Sequence, residues 1–189
     1  MKKVLQVMDG LGRGGAQTFI INNIEELYNK GIVCDFLIRR DNSVYTDFIE
    51  KFGGRVILTA PFPRKIIKNY MQTREIFRNH AQDYCAIHVH ANALLYLLPI
   101  KLAKREGIPV RIIHSHNTKT NVPCLKWLHY FNRRVIEKYA TDFLACGQEA
   151  AEWMFTSNQY KIINNCISEK DFLYSINNRK DIRKKYNIT

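Results

Sequence analysis

What this sequence lacks narrows its class first. No apolar stretch is long enough to cross a bilayer, and the most apolar run, ALLYLLPI (Ala93 to Ile100), falls far short. No signal-peptide pattern is present: the start MKKVLQVMDG is basic, but its apolar part is soon interrupted by Asp9 and Gly10. There is no C-x-x-C pair. The five cysteines (Cys34, Cys85, Cys124, Cys146 and Cys166) are odd in number and widely spaced, several inside apolar strand-like runs. That is the usage of reduced, buried thiols in a cytoplasmic protein, not of a disulfide framework. No internal repeat and no low-complexity linker divide the chain. Acidic residues are scarce, 17 Asp+Glu against 29 Lys+Arg, for a net charge of +12. Such an excess favours anionic partners, whether nucleic acid, lipid headgroups or phosphorylated small molecules, without choosing among them. The remainder is ordinary for a soluble globular protein: 189 residues, 46% hydrophobic and 24% charged, enough for one core-forming domain and a short tail.

What is there is an alternation of short apolar runs with amphipathic segments. Strands are expected at Val4–Met8, Ile32–Ile38, Arg55–Leu58, Tyr84–Val89, Val110–His114, Asp142–Cys146 and Tyr160–Ile163. Helices are expected at Ala16–Asn29, Val44–Phe52, Pro63–His80, Ala93–Glu106, Cys124–Tyr139 and Gln148–Phe155. Strands separated by helices of this length imply right-handed βαβ units, hence a doubly wound, Rossmann-like α/β fold of about seven parallel strands with helices on both faces. The domain is expected to run from residue 1 to 167. The polar segment 168–189 reads as a boundary ending in a short helix.

Gly10-Leu11-Gly12-Arg13-Gly14-Gly15, between the first strand and first helix, is a literal G-x-G-x-x-G. Glycines there let the backbone approach a ligand, and the helix N-terminus offers N–H groups to an anion. That chemistry calls for a phosphate or carboxylate, not for a dinucleotide in particular. A dinucleotide fold also wants an acid at the tip of the second strand. Here the tip reads Leu37-Ile38-Arg39-Arg40-Asp41, and Asp35 lies near the strand's start. Arg39-Arg40 would suit a 2′-phosphate, so an NADP-binding reductase stays open, as does a glycine turn with no ligand. The Tyr-x-x-x-Lys pair of common reductases is missing.

Two H-x-H pairs, His88-Val89-His90 and His114-Ser115-His116, close the fourth and fifth strands. In a doubly wound sheet these strands are neighbours and the fourth adjoins the first, so both pairs converge beside the glycine loop. Alternate strand residues share a face, so four imidazoles there could bind a metal. No carboxylate or cysteine stands at a metal-like spacing nearby. Structural histidines, or polar contacts to a hydroxylated, phosphorylated ligand, are the other readings.

At these residues the chain resembles a family. GLGRGGAQTFIINNI is similar to the glycine loop and first helix of retaining GT-B glycosyltransferases of family four. VRIIHSHNT resembles that family's fifth strand with its histidine-bearing loop, and DFLACGQEAAEWMF its next strand and helix. KIINNCISEKDF resembles the closing strand, with Asn164-Asn165 where the family usually has Asn-Gly. The matches cover nearly the whole chain in the expected order.

The resemblance implies the acceptor-side half of an enzyme with two Rossmann-like domains, this chain ending near the junction. It implies transfer of a sugar from a nucleotide-sugar donor to a lipid-linked or saccharide acceptor, with retained configuration, in surface polysaccharide assembly. The donor half is not in the sequence, so the chain alone is expected to fold but not to turn over. No cofactor and no metal are expected. By the match, Gly14 and Gly15 present N–H groups to the donor diphosphate, with Gly12 and Arg13 in the same loop. The family's donor-sugar histidine maps to His116 or His114, with His116 favoured. Asn117 and Thr118 follow it into the cleft. His90 is an acceptor-contact candidate by position.

The helix expected over Pro63–His80 carries Arg64, Lys65, Lys68, Arg74 and Arg78 among Ile66, Tyr70, Ile76 and Phe77. One reading lays that apolar side on the sheet. The other rests the helix on an anionic membrane surface, which would make the protein peripheral at the cytoplasmic face; WLHYFNRRVIEKY (Trp127–Tyr139) would add to the patch. A nucleic-acid-binding domain, suggested by the charge, is the reading of another class. The aromatics sit mostly at apolar-periodic positions and no nucleic-acid motif is present, so no nucleic-acid partner is expected.

Overall fold

The computed structural model describes residues 1–120, 122–165 and 173–188. Seven strands, β1 (Lys2–Val7), β2 (Ile32–Ile38), β3 (Val56–Leu58), β4 (Tyr84–Ala91), β5 (Val110–Ser115), β6 (Asp142–Ala145) and β7 (Lys161–Ile162), form one sheet in the order β3-β2-β1-β4-β5-β6-β7. Every neighbouring pair is parallel. The order reverses between β1 and β4, and open α/β sheets bind ligands at the carboxyl ends of the strands beside such a reversal.

Strand alternation divides the core. In β2, Phe36 and Ile38 join Met8, Leu11, Ile20, Ile24 and Ile49 on one face. Leu37, between them, turns to the other, with Leu5, Val7, Phe77, Ile87 and Ile113. The first face is covered by α1 (Gly15–Ile21), α2 (Ile24–Asn29) and α3 (Thr46–Lys51). The second takes α4 (Ile66–His80), α5 (Leu98–Arg105) and α7 (Gln148–Met154). The remaining helices are α6 (Lys126–Arg133) and α8 (Ile176–Lys185).

Midway along β2, not near its start as expected, Asp35 is fully buried and collects four donors. It accepts from the Arg55 backbone N–H (3.0 Å) and guanidinium (2.9 Å) and from the Tyr84 hydroxyl (2.9 Å). The Lys3 ammonium stands 3.9 Å away. The carboxylate thereby ties β1, β2, β4 and the turn into β3 together.

The structure differs from the sequence expectation where side chains compete for helical backbone groups. The helix expected over Ala16–Asn29 is two, α1 and α2. The Asn23 amide donates to the Phe19 carbonyl at 2.6 Å, while its backbone N–H goes to Ile20. An asparagine side chain substitutes for the helical ladder and breaks it there. The helix expected from Ala93 starts only at Leu98, because α6 holds the preceding segment as a loop. His129 Nδ1 accepts from the Leu94 N–H (3.0 Å), and the Asn132 amide donates to the Leu94 carbonyl (2.7 Å). The helix expected over Cys124–Tyr139 is α6 between 3-10 turns at Pro123–Leu125 and Ile136–Lys138. Ser175 caps α8, its hydroxyl accepting from the Asn178 N–H at 3.3 Å, and no residue of α8 is buried. The boundary expected at residue 167, like Cys166, lies outside the described residues. The four described cysteines are free thiols.

Candidate functional site

The glycine turn joins β1 to α1 at the carboxyl end of the central strand. Three neighbours the sequence reading did not single out hold it in shape. The Gln17 amide donates to the Gly10 carbonyl at 2.8 Å, and Val44 N–H donates to the Leu11 carbonyl at 3.1 Å. Asn42 lies so close that a Cβ at Gly10 would overlap it, and one at Gly12 would meet its amide nitrogen at 3.0 Å. A side chain at either position would therefore have to push the exposed Asn42 amide aside. Gly14 and Gly15 differ, being exposed together with Arg13. Gly14 occupies the N-cap of α1 in extended conformation and provides no side-chain cap. The N–H groups of the first turn are consequently open to an anion.

From that helix Phe19 reaches down onto the imidazoles. Its ring lies 5.0 Å from His114 edge-on, 5.9 Å from His116 and 6.5 Å from His90. Glycine turn and histidines thus share one face of the sheet. The β4–β5 register sets His90 beside His114, and two hydrogen bonds cross between the strands. His88 Nε2 and His114 Nδ1 are 3.2 Å apart; His90 Nδ1 and His116 Nε2 are 2.9 Å apart. His90 Nε2 continues to the Gln6 Oε1 on β1, at 2.9 Å. Burial holds all four imidazoles below their usual pKa, reinforced in His88, His90 and His116 by neighbouring rings; His114 is lowered to about 4 and His116 to about 3. At neutral pH the cluster is uncharged.

These positions sort the sequence candidates. His116 is half-buried and Asn117 beside it, with Thr118 exposed; the Asn117 Oδ1 accepts from the Thr118 N–H at 2.8 Å. His114 is fully buried beneath Phe19, its ring 4.1 Å from that of His116, so it underlies the site instead of facing it. His90 is corrected as an acceptor contact: it is 8% exposed and both its ring nitrogens are bonded inside the protein. His88, His90 and His114 bring ring nitrogens within 4.8 Å of one another, a spacing that could hold a metal ion. Within that set His88 and His114 are hydrogen-bonded to each other, and among the described residues no carboxylate joins it to balance a dication. The far edge of the sheet also approaches the glycine turn: a Cβ on Gly15 would lie 3.7 Å from the Asn165 amide nitrogen.

The features of a dinucleotide site are otherwise engaged. Asp35 is locked midway along β2, away from the strand's tip. Arg39 and Arg40, at its tip, both pair with Asp9, at 3.1 and 2.7 Å. Beside them a basic hollow of about 500 Å³ is lined by Lys65, Lys68, Thr59 and Gln72.

Residues 13–168 match the model of Glycosyltransferase Family 4. The chain belongs to glycosyltransferase family 4. It is 30% identical over 169 residues to "Putative glycosyltransferase EpsF" of Bacillus subtilis (strain 168), a match covering 82% of this chain and 41% of that relative. In fold it is similar to a glycosyltransferase from Rickettsia africae ESF-5 (TM-score 0.73, 12% identity, 100% of this chain and 50% of the other). Anabaena Alr3699/HepE, solved in complex with UDP, gives a TM-score of 0.65 at 11% identity, covering 99% of this chain and 50% of its own. The chain thus spans about half the length of the proteins it matches. Its fold is the Rossmann-like α/β unit of GT-B glycosyltransferases, and family membership replaces the reductase and nucleic-acid readings.

The basic segment departs from its simplest expectation. On α4, Phe77 is buried and Ile76 partly so, but Ile66, Ile67, Tyr70 and Met71 are exposed. Arg64, Lys65, Lys68, Arg74 and Arg78 are exposed around them. On α6, Trp127, Tyr130 and Phe131 are exposed as well. Ile66 and Tyr70 share an apolar cleft of about 290 Å³ with Leu95, Leu97 and Leu128, which brings the two helices side by side. No described helix is long and apolar enough to cross a membrane.

Proposed function

We propose that this chain is the acceptor-side half of an enzyme that moves a sugar from a nucleotide-sugar donor to a lipid-linked or saccharide acceptor, with retained configuration, in surface polysaccharide assembly. One observation carries the reading: the open first turn of α1 and the half-buried His116 stand on one face of the sheet, joined through Phe19, at the strand-order reversal. Neighbours of the same fold solved with UDP support a nucleotide diphosphate as the donor's leaving group. Gly14 and Gly15 N–H groups, with Arg13, meet the diphosphate and stabilise charge as it departs. Gly12 shapes the loop. His116 meets the donor sugar, and Asn117 and Thr118 line the acceptor path. The donor's base and ribose are held by a second domain, so the chain by itself gives no transfer and requires neither metal nor cofactor. In an enzyme joining this domain to its donor domain, His116→Ala lowers turnover well beyond tenfold, on the scale of a lost transition-state contact. Near-normal turnover in a folded variant removes His116 from the mechanism.

The exposed apolar side chains at the start of α4 and on α6, ringed by cations, support work at the cytoplasmic face of a membrane. Such a surface inserts its apolar side chains between headgroups while its cations meet anionic lipid. The chain is expected to sediment with phosphatidylglycerol vesicles, not with phosphatidylcholine vesicles, and to be released by salt. Lys65→Glu with Lys68→Glu abolishes the difference. Equal sedimentation with both lipids overturns the membrane reading.

A further inference from the structure

We infer that Gln6 and His90 are positioning residues that hold His116 as its Nε2–H tautomer, leaving Nδ1 as a bare hydrogen-bond acceptor. The inference rests on the role proposed for His116 and adds how that role is set. The chain of bonds starts at Gln6, which is 2% exposed. Its amide nitrogen faces the Cys34 sulfur at 3.5 Å, so its carbonyl oxygen faces His90. A carbonyl can only accept; His90 Nε2 therefore carries the proton. A neutral imidazole has one N–H, which leaves His90 Nδ1 bare. The contact at 2.9 Å then requires His116 Nε2 to donate. His116 Nδ1 is left with its lone pair, buried and without a partner among the described residues.

Reversing every bond gives the opposite outcome and is physically worse. It would bury an N–H on His116 Nδ1 with no acceptor, and buried orphan donors are rarer than buried orphan acceptors. The lone pair at Nδ1 suits a hydroxyl donor, which a sugar supplies. Nδ1 is closed to solvent in the free chain, and a hydroxyl that reaches it as the residues around His116 shift recovers hydrogen-bond energy that the free protein forgoes. Both partners of the relay lie inside the sheet on β1 and β4, which makes them stiff supports for a ring just past the end of β5.

Ring-¹⁵N-labelled histidine in this chain tests the assignment, because only six histidines need resolving. At neutral pH, long-range proton–nitrogen correlation is expected to show His116 with a protonated Nε2 and a bare Nδ1, and His90 likewise. His116→Gln identifies the signals by their loss. Gln6→Met removes the acceptor and is expected to turn His116 into a tautomer mixture; in the joined enzyme it lowers kcat about tenfold or more with KM little changed. A protonated Nδ1 or a mixture in the unmodified chain overturns the relay, whether or not Gln6→Met folds. Since the spectrum is read without donor or acceptor, that failure leaves the transferase reading standing. Normal turnover in His116→Ala, with the spectrum as expected, instead overturns only the part proposed for His116 in the transfer.

Discussion

Between pH 7 and pH 5 the protein is expected to lose stability steeply. His88, His90, His114 and His116 are all held below their ordinary pKa by burial, and His129 is lowered for the same reason. In the unfolded chain each titrates near about 6.5. Below that pH the unfolded state binds protons that the folded state refuses, so the equilibrium moves toward unfolding as acid is added. The contribution is complete above about pH 6.5 and falls by about 1.4 kcal/mol per pH unit for each refused proton. At pH 5 that is about 2 kcal/mol each for His114 and His116, with His88 and His90 acting in the same direction, set against a domain stability of about 5–15 kcal/mol. His129 has a specific reason to stay neutral: its Nδ1 accepts from Leu94 N–H and its Nε2 donates to the Trp153 carbonyl, so a second proton would face a donor. Urea midpoints measured from pH 7.5 to pH 4.5 should fall steeply below pH 6.5, and less steeply in His88→Phe. A midpoint unchanged down to pH 5 would contradict the burial of these rings.

Asp35→Ala is expected to destabilise the fold by about 1–3 kcal/mol for each buried donor it leaves without an acceptor, while the half-exposed Arg55 guanidinium turns to water. The substitution strands the Tyr84 hydroxyl and the Arg55 N–H together, each of which now donates to the carboxylate within about 3 Å. The pull of that carboxylate is visible in its partners: hydrogen bonding to Asp35 raises Arg55, and burial with the Asp35 charge raises the Tyr84 hydroxyl. Tyr84→Phe removes a single bond and costs about 1 kcal/mol. Guanidinium unfolding of the two variants and their combination distinguishes a shared hub from independent contacts, since a hub makes the double variant less damaging than the sum. An Asp35→Ala protein that unfolds with the parent removes the hub. The comparison also separates the structural role from a ribose-binding one, which would leave stability alone.

The chain's architecture was legible because strand and helix periodicities are local. Ile32–Ile38 is a strand at the expected bounds, and all seven strands appear where apolar runs lie. Their order followed from chirality and connection length, so the convergence of the two H-x-H pairs beside the glycine loop was readable before any coordinate. Helix ends were less legible. Asn23 and Asn132 look like ordinary polar positions, and only their bonds to Phe19 and Leu94 carbonyls decide that the ladder stops.

Which residues face one another could not come from spacing. His90 and His116 stand 26 positions apart, Gln6 and His90 84 apart, and their rings and amide meet only because β1, β4 and β5 lie in register. The same holds for Ile66 and Tyr70, apolar at helical spacing yet left exposed because the inward face of α4 is Asn69, Thr73 and Phe77. Residue types alone settled that this chain winds a parallel sheet behind a glycine turn. Tertiary structure settled the protonation, burial and direction of its histidines, because a proton's position depends on the nearest acceptor in space and not on the nearest residue in the chain.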